Sequence, residues 1–247
     1  MRNETLTKAL LAIVLWGAGG VASAQSGADD LLQTEASDRS IYANGALDVF
    51  EFAVSDESGM RWEGEAWAGT FKHRLWLRTE GTIDPDGDVA SGRLDLFYDH
   101  PIATFVDVQA GVRYDLDARP GRIWAALGFE AHVPYVTKAW ATLYVGDEGR
   151  AGLSLRGSYD WLLTEHLILQ PELRLNLYTE DDPARAIGSG LSEFGADLRL
   201  RYEVTERLAP FVGLTYQRLV GDTAQFARRD GKRTDDARVV VGVSTWF

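Results

Sequence analysis

The sequence has no cysteine and no long hydrophobic run, and each of these absences excludes a class of protein. Without cysteine among its 247 residues, the chain forms no disulfide, no thiolate zinc site and no cysteine nucleophile. A helical membrane protein needs runs of about 20 apolar residues, and the mean hydropathy here is only −0.18. The formal charge of −12 argues against nucleic acid as a partner.

The amino-terminal residues have the pattern of an export signal. Arg2 and Lys8 are followed by a short apolar stretch and by Ala22-Ser23-Ala24, a small-x-small cleavage pattern. We therefore expect residues 1–24 to be a signal peptide that is removed on export. Residues 25–45 are polar and acidic without periodicity, and we expect a flexible periplasmic segment or a partial plug.

From about residue 46 onward, apolar and polar residues alternate with a period of two. One example is Val106, Val108, Ala110, Val112 and Tyr114 against Asp107, Gln109, Gly111, Arg113 and Asp115. Such alternation gives a strand one apolar and one polar face. A soluble β-sandwich would show it too. In an exported chain with strands of about ten residues, we favour an all-β fold, a transmembrane antiparallel up-and-down β-barrel with its apolar face toward lipid.

The pattern predicts about twelve strands, with ten as the alternative because the first two are the weakest. The predicted strands are residues 46–55, 60–68, 71–82, 89–99, 103–116, 122–132, 135–145, 150–162, 166–178, 191–203, 208–220 and 236–247. Short and long connections alternate between them, as periplasmic turns and outer loops do in outer-membrane barrels. Pro171 and Pro210 lie inside predicted strands, where we expect a bulge at each.

The inward positions of the predicted strands carry charges of both signs. They are Arg74, Arg78, Asp95, Asp107, Arg113, Glu130, Lys138, Arg156, Asp160, Glu172, Arg174, Asp197, Arg199 and Arg201. Either these groups pair with each other in a cross-linked polar core, or they line a narrow polar path for ions. The sequence leaves both interpretations open.

Several stretches of the predicted barrel carry longer motifs. They are residues 141–150, 167–178, 182–191, 198–203 and 221–228, with 62–67 and 75–81 nearer the start. Together these motifs resemble the copper resistance protein B family of outer-membrane proteins, over about residues 46–247. The resemblance implies an outer-membrane barrel that binds copper ions and passes them across the membrane. Its partners would be copper, outer-membrane lipid and a periplasmic copper-binding protein.

One departure from the family bears on how copper would bind. Its members commonly carry a Met- and His-rich stretch before the barrel, suited to copper(I). Residues 25–45 contain no Met, His or Cys, and Met60 is the only methionine beyond the initiator. Another protein would then load the metal, or this chain handles it differently.

The four histidines are the remaining candidate copper ligands. In the predicted topology His73, His100, His132 and His166 all lie at or beside short turns on the periplasmic rim, with Asp99, Glu130 and Glu165 as candidate co-ligands. Neighbouring strands are about 4.8 Å apart, so successive turns lie about 10 Å apart. We therefore expect a ring of weak sites, or one histidine pair with a carboxylate. The alternative is that histidine is simply tolerated at a membrane interface.

Three other functions remain as alternatives. A general small-solute porin would pass solutes by size and ignore metals. An outer-membrane enzyme needs a nucleophile beside a base, and no local pairing of serine with histidine stands out, so we expect no enzyme. An adhesion barrel would need larger outer loops than these.

Overall fold

The structure is a computed structural model that describes residues 40–54, 59–116, 121–132 and 138–247. The predicted signal peptide and most of the predicted 25–45 segment lie outside the described residues. Within the described ranges, no helix has both the length and the apolar character that crossing a membrane requires.

The described residues form thirteen β-strands in one antiparallel sheet. They are β1 (Tyr42–Ala53), β2 (Met60–Gly69), β3 (Arg74–Ile83), β4 (Val89–Ala103), β5 (Val106–Asp115), β6 (Ile123–Ala131), β7 (Lys138–Val145), β8 (Ala151–Ser158), β9 (Trp161–Leu162), β10 (Leu167–Tyr178), β11 (Gly190–Tyr202), β12 (Leu208–Leu219) and β13 (Asp235–Trp246). The last strand pairs with the first, so the sheet closes into a barrel. Because β8 and β9 pair with β10 in one register, they form a single interrupted strand. The result is the predicted closed twelve-stranded barrel.

Alternation along each strand separates an outer apolar face from an inner polar one. In β6, Ile123, Leu127 and Phe129 are exposed on the outside, whereas Trp124 and Glu130 are buried inside. The same division runs through β5, β11 and β12. A closed sheet of this kind satisfies its backbone hydrogen bonds internally, which a strand surrounded by lipid requires.

The two ends of the barrel differ in their connections. One end, here called the short-turn rim, carries the tight turns, the start of β1 and Phe247, which exchanges backbone hydrogen bonds with Gly45. The other end, the loop rim, carries the longer connections and a helix, α1 (Gly221–Arg229). In outer-membrane barrels the short turns face the periplasm and the longer loops face outward.

Three details differ from the sequence-based predictions. Strand β1 begins at Tyr42, four residues before the predicted start of the barrel. The predicted outer loop at 221–236 contains α1, whose acidic Asp222 lies in the first turn and whose Arg228 and Arg229 lie in the last, which complements the helix dipole. The irregularity in β1 falls at Asp48, where the register with both neighbouring strands shifts.

The predicted bulges at Pro171 and Pro210 were wrong, because the register continues unchanged through both prolines. Pro171 lies opposite the break between β8 and β9, where a missing N–H costs little; its carbonyl still accepts from Tyr159 N at 3.1 Å. Pro210 lies one residue beyond the last pair that β12 makes with β11, between Phe211 and Arg201. On the β11 side, therefore, its missing N–H removes no ladder bond.

Candidate functional site

All four histidines lie at the short-turn rim, as the sequence predicted. His73 directly precedes β3, His100 lies near the end of β4, His132 follows β6, and His166 directly precedes β10. Three of them have exposed side chains, and His100 is half-buried. The turns therefore bring these residues to one end of the barrel.

His73 and His100 form the closest histidine pair among the described residues. The register of β3 and β4 sets them opposite each other, on the same outer face as Leu75 and Tyr98. Their rings stack with centroids 5.2 Å apart. His100 Nδ1 lies 2.7 Å from the Lys72 carbonyl oxygen, which can only accept, so Nδ1 holds the proton and Nε2 is free to act as a ligand. His73 Nδ1 bonds the Tyr98 hydroxyl at 2.5 Å.

His132 reaches a carboxylate of the barrel interior. Its Nε2 lies 3.3 Å from Oε1 of Glu130, whose side chain is fully buried. The other oxygen of Glu130 accepts from Arg78 and from Gln109, whereas Oε1 receives no hydrogen bond from any described residue. A buried carboxylate oxygen beside an imidazole is therefore open to a further partner.

The remaining predicted ligands are not drawn together. Asp99 faces the lumen, where it accepts from Arg74 at 2.7 Å and from Gln109 at 2.9 Å. His166 contacts Tyr202, with ring centroids 6.3 Å apart, and Glu165 is an exposed turn residue. No group of three or more His, Cys, Asp or Glu residues with metal-binding geometry occurs among the described residues.

A dense layer of ion pairs crosses the middle of the lumen. Its members, called the charged layer below, are Glu51, Arg61, Glu63, Glu80, Arg93, Asp95, Arg156, Glu172, Arg174, Asp197 and Arg199. Glu63, Glu172 and Asp197 each pair with three guanidinium groups. With five arginines and six carboxylates, the layer has a formal charge of −1.

Aromatic residues fill one side of the lumen beside these charges. Trp76, Phe97, Trp124 and Tyr144 form a buried cluster. The Arg78 guanidinium lies 5.0 Å from the Trp140 ring centroid and 5.1 Å from that of Trp76. Cation–π contacts of this kind hold a guanidinium in place where water is scarce.

Two cavities lie along the lumen on either side of the charged layer. The inner cavity, of about 330 Å³, is lined by Asp48, Glu65, Asp95 and Lys138 among others. The outer cavity, of about 650 Å³, is lined by Met60, Arg113 and Arg185 among others. Glu80, Arg93, Ser154 and Arg156 line both cavities, so the two are separated only by side chains.

The connection from β10 to β11 folds over the loop rim. Its Asp182 is buried and pairs with Arg122 and Arg150, while Arg185 donates to Asp115 at 2.7 Å. Asp115 also accepts from Arg113 and from Trp124 Nε1. These bonds join the loop to β5 and to the residues directly before β6 and β8, so the loop narrows the outer cavity.

Sequence reasoning identified most of the lumen charges but missed those of the first strands. Glu51, Arg61, Glu63 and Glu80 are central to the charged layer and were not among the predicted inward residues. The signal was present, because alternation of Arg61, Glu63 and Glu65 with Trp62 and Gly64 already marks an inward polar face in β2. Weak assignment of the first two strands concealed it.

A closed barrel with an apolar outer face, a charged lumen and short turns at one end defines the chain as a membrane-spanning β-barrel of the outer-membrane type. Among solved structures, a NanC porin is similar, with a TM-score of 0.53 and 11% sequence identity, covering 83% of this chain and 99% of that one. This likeness concerns the fold alone.

Comparison of sequences identifies the family. The family model for copper resistance protein B precursor (CopB) matches residues 41–247. Copper resistance protein B of Escherichia coli is 36% identical over 81% of this chain and 68% of its own length. A copper resistance protein B homolog of Pseudomonas syringae pv. tomato is 39% identical over 78% of this chain and 66% of its own length. The chain therefore belongs to the copper resistance protein B family and is a protein of the outer membrane.

Proposed function

We propose that this barrel binds copper ions at its short-turn rim and passes them through its lumen across the outer membrane. Copper is the substrate of this process, and the family supplies its identity. The observation that carries the proposal is the contact between His132 and Glu130, where an imidazole of the rim lies 3.3 Å from an interior carboxylate oxygen that receives no hydrogen bond from the described residues.

The histidine pair at the outer edge of this rim is the proposed capture site. Imidazole is a good copper ligand, and His100 presents Nε2 because the Lys72 carbonyl holds its Nδ1 proton. The two rings stack with centroids 5.2 Å apart, so they must tilt toward each other before both nitrogen lone pairs can point at one ion.

A copper ion would move from the short-turn rim into the lumen along carboxylates whose charge is offset by an arginine or a lysine. In the inner cavity Lys138 pairs with Asp48 at 3.6 Å and with Glu65, and a copper ion could replace the ammonium group there. The charged layer above it has one carboxylate in excess of its arginines, which favours a cation over an anion. Passage then requires ion pairs of this layer to open.

Copper flux into liposomes tests the proposal. The protein would be refolded into vesicles with a copper-sensitive dye inside, with zinc and a small sugar as control solutes. We expect saturable copper flux that falls in His132→Ala/Glu130→Gln and in His73→Ala/His100→Ala. His166→Ala is the matched control, because His166 contacts Tyr202 and no lumen carboxylate among the described residues.

The alternative is a general small-solute porin without metal specificity. Equal leakage of copper, zinc and sugar through the wild type and every variant would support that alternative and reject the copper proposal. For each variant, the unheated and the heated protein are compared by gel electrophoresis. A difference in migration between the two shows that the barrel is folded before heating. Loss of flux can then be assigned to the missing ligands.

A further inference from the structure

Five basic residues lie within one short stretch of the chain at the loop rim. They are Arg218 at the end of β12, Arg228 and Arg229 at the end of α1, and Lys232 and Arg233 in the connection to β13. All five are exposed, and none forms an ion pair with any residue in the described ranges. This group is called the loop-rim basic cluster below.

The cluster differs from most basic residues of the barrel. Arginines that face the lumen, such as Arg61, Arg156 and Arg199, are each held by two or more carboxylates. The chain as a whole has a formal charge of −12. In contrast, the charges of the loop-rim basic cluster face solvent and have no carboxylate partner among the described residues. Arg229 lies 5.7 Å from the centroid of the Phe226 ring, a contact that leaves its charge available to an external anion.

Its position places the cluster beside the lipid-facing surface. Arg218 lies on the same face of β12 as Val212 and Leu214, which are 47% and 57% exposed on the outside of the barrel. On β13 the outward residues Val239 and Val241 continue this surface. Arg218 therefore stands just beyond the apolar strip, at the level where the outer leaflet presents its headgroups.

Acidic residues nearby do not neutralise the cluster. Asp236 is paired with Arg238, and Asp222 accepts a hydrogen bond from Gln225 at 2.5 Å. Asp235 is the cross-strand partner of Arg218 in the backbone register but forms no ion pair with it. Asp230 ends α1. Residues 218–238 thus contain six basic and four acidic groups, a net +2 in an acidic protein.

We propose that the loop-rim basic cluster binds the phosphate groups of lipopolysaccharide in the outer leaflet. Guanidinium groups suit phosphate because they donate two parallel hydrogen bonds. Several basic residues beside an anionic membrane surface add their attractions. The outward apolar residues next to the cluster, such as Leu214 and Val239, would contact the acyl chains of the same molecule. One amphipathic ligand would therefore satisfy both the basic residues and the apolar surface.

Retention of lipopolysaccharide by the full chain tests the proposal. The protein would be extracted from outer membranes, and the lipopolysaccharide that remains bound would be quantified by mass spectrometry. We expect the variant with Gln at all five positions to retain at least about tenfold less than the wild type. Addition of purified lipopolysaccharide to the delipidated protein should raise the unfolding temperature of the wild type and not that of the variant.

Three controls make the result decisive. Arg207→Gln changes an exposed arginine at the opposite rim and should retain lipopolysaccharide normally. The double variant Arg228→Lys/Arg229→Lys keeps the positive charge and should retain most of the lipopolysaccharide. Inorganic phosphate at the same phosphate concentration should give no thermal shift. Equal retention by the five-Gln variant, or equal binding of dephosphorylated lipopolysaccharide, would overturn the proposal.

Discussion

Glu63 accepts hydrogen bonds from three arginines that lie far apart in the sequence. Arg156 donates at 2.9 Å and Arg174 at 3.3 Å, and Arg61 is the third donor. The Glu63 side chain is about 9% exposed, so water screens these pairs weakly. Its charge therefore offsets guanidinium groups from β2, β8 and β10 at once.

Replacing this carboxylate should destabilise the barrel. In Glu63→Gln the side chain keeps its size, but three buried guanidinium groups lose a shared counter-charge. We expect the free energy of unfolding to fall by about 3 kcal/mol, the range seen when one partner of a buried ion pair is removed. Urea unfolding followed by tryptophan fluorescence measures the change.

Glu165→Gln is the matched control for this substitution. It makes the same chemical change at an exposed turn residue and should alter stability by less than about 0.5 kcal/mol. Equal stability of Glu63→Gln and Glu165→Gln would mean that water or neighbouring carboxylates already compensate the three arginines.

At the residue scale, the sequence predicted which charged side chains face the lumen better than it predicted which residues they pair with. Alternation placed Arg174, Asp197 and Arg199 inside the lumen, and the structure confirms this. It also placed the histidines at one rim. It did not show that Asp99 would be engaged by Arg74, because a partner from another strand depends on the register and not on local pattern.

The loop between β10 and β11 is the element that narrows the outer mouth. Asp182 anchors it, since this buried carboxylate pairs with both Arg122 and Arg150. Asp182→Asn should loosen the loop and lower the free energy of local opening by about 1–2 kcal/mol. Cleavage by trypsin within the loop, which follows the open population, should become about 5–30-fold faster.

Asp86→Asn is the control for the loop variant. Asp86 is an exposed residue of the loop between β3 and β4, so its substitution should leave cleavage of the β10–β11 loop unchanged. Unchanged cleavage in Asp182→Asn as well would show that other contacts, such as Arg185 to Asp115, hold the loop alone.

Elements were predicted well where alternation was long, and poorly where an element was short or irregular. The strands from β3 to β13 start and end within a few residues of their predicted bounds. Helix α1 has nine residues and begins at Gly221, whose φ of 57° suits glycine, so its sequence resembles a loop. The irregularity at Asp48 arises where β1 meets β13 and β2 together. No pattern in the sequence near Asp48 indicates that β1 pairs with β13 to close the barrel.

For the whole molecule, the balance of lumen charge should decide which ions pass. The charged layer has one carboxylate more than arginines, so current through the barrel should be carried by cations in preference to chloride. Glu80→Gln would remove one carboxylate that lines both cavities and make the layer formally neutral. We expect the cation-to-chloride permeability ratio to fall by at least about twofold.

Reversal potentials in planar bilayers under a potassium chloride gradient measure this ratio. Glu206→Gln, at an exposed position of a rim turn, is the control and should keep the wild-type value. Preference for chloride in the wild type would contradict the assignment of the layer as a cation-selecting barrier.

The sequence by itself determined the fold class, a strand number of about twelve, the inward or outward direction of most strand residues, and the family resemblance. These properties follow from a two-residue period and from motifs, which are local in the chain. Only the tertiary structure decided which charges pair, that the ion pairs divide the lumen into two cavities, and that His132 meets Glu130. Closure of the sheet brings together residues more than a hundred positions apart, such as Glu63 and Arg174. Pairings of that kind depend on barrel register and diameter, which no single strand encodes.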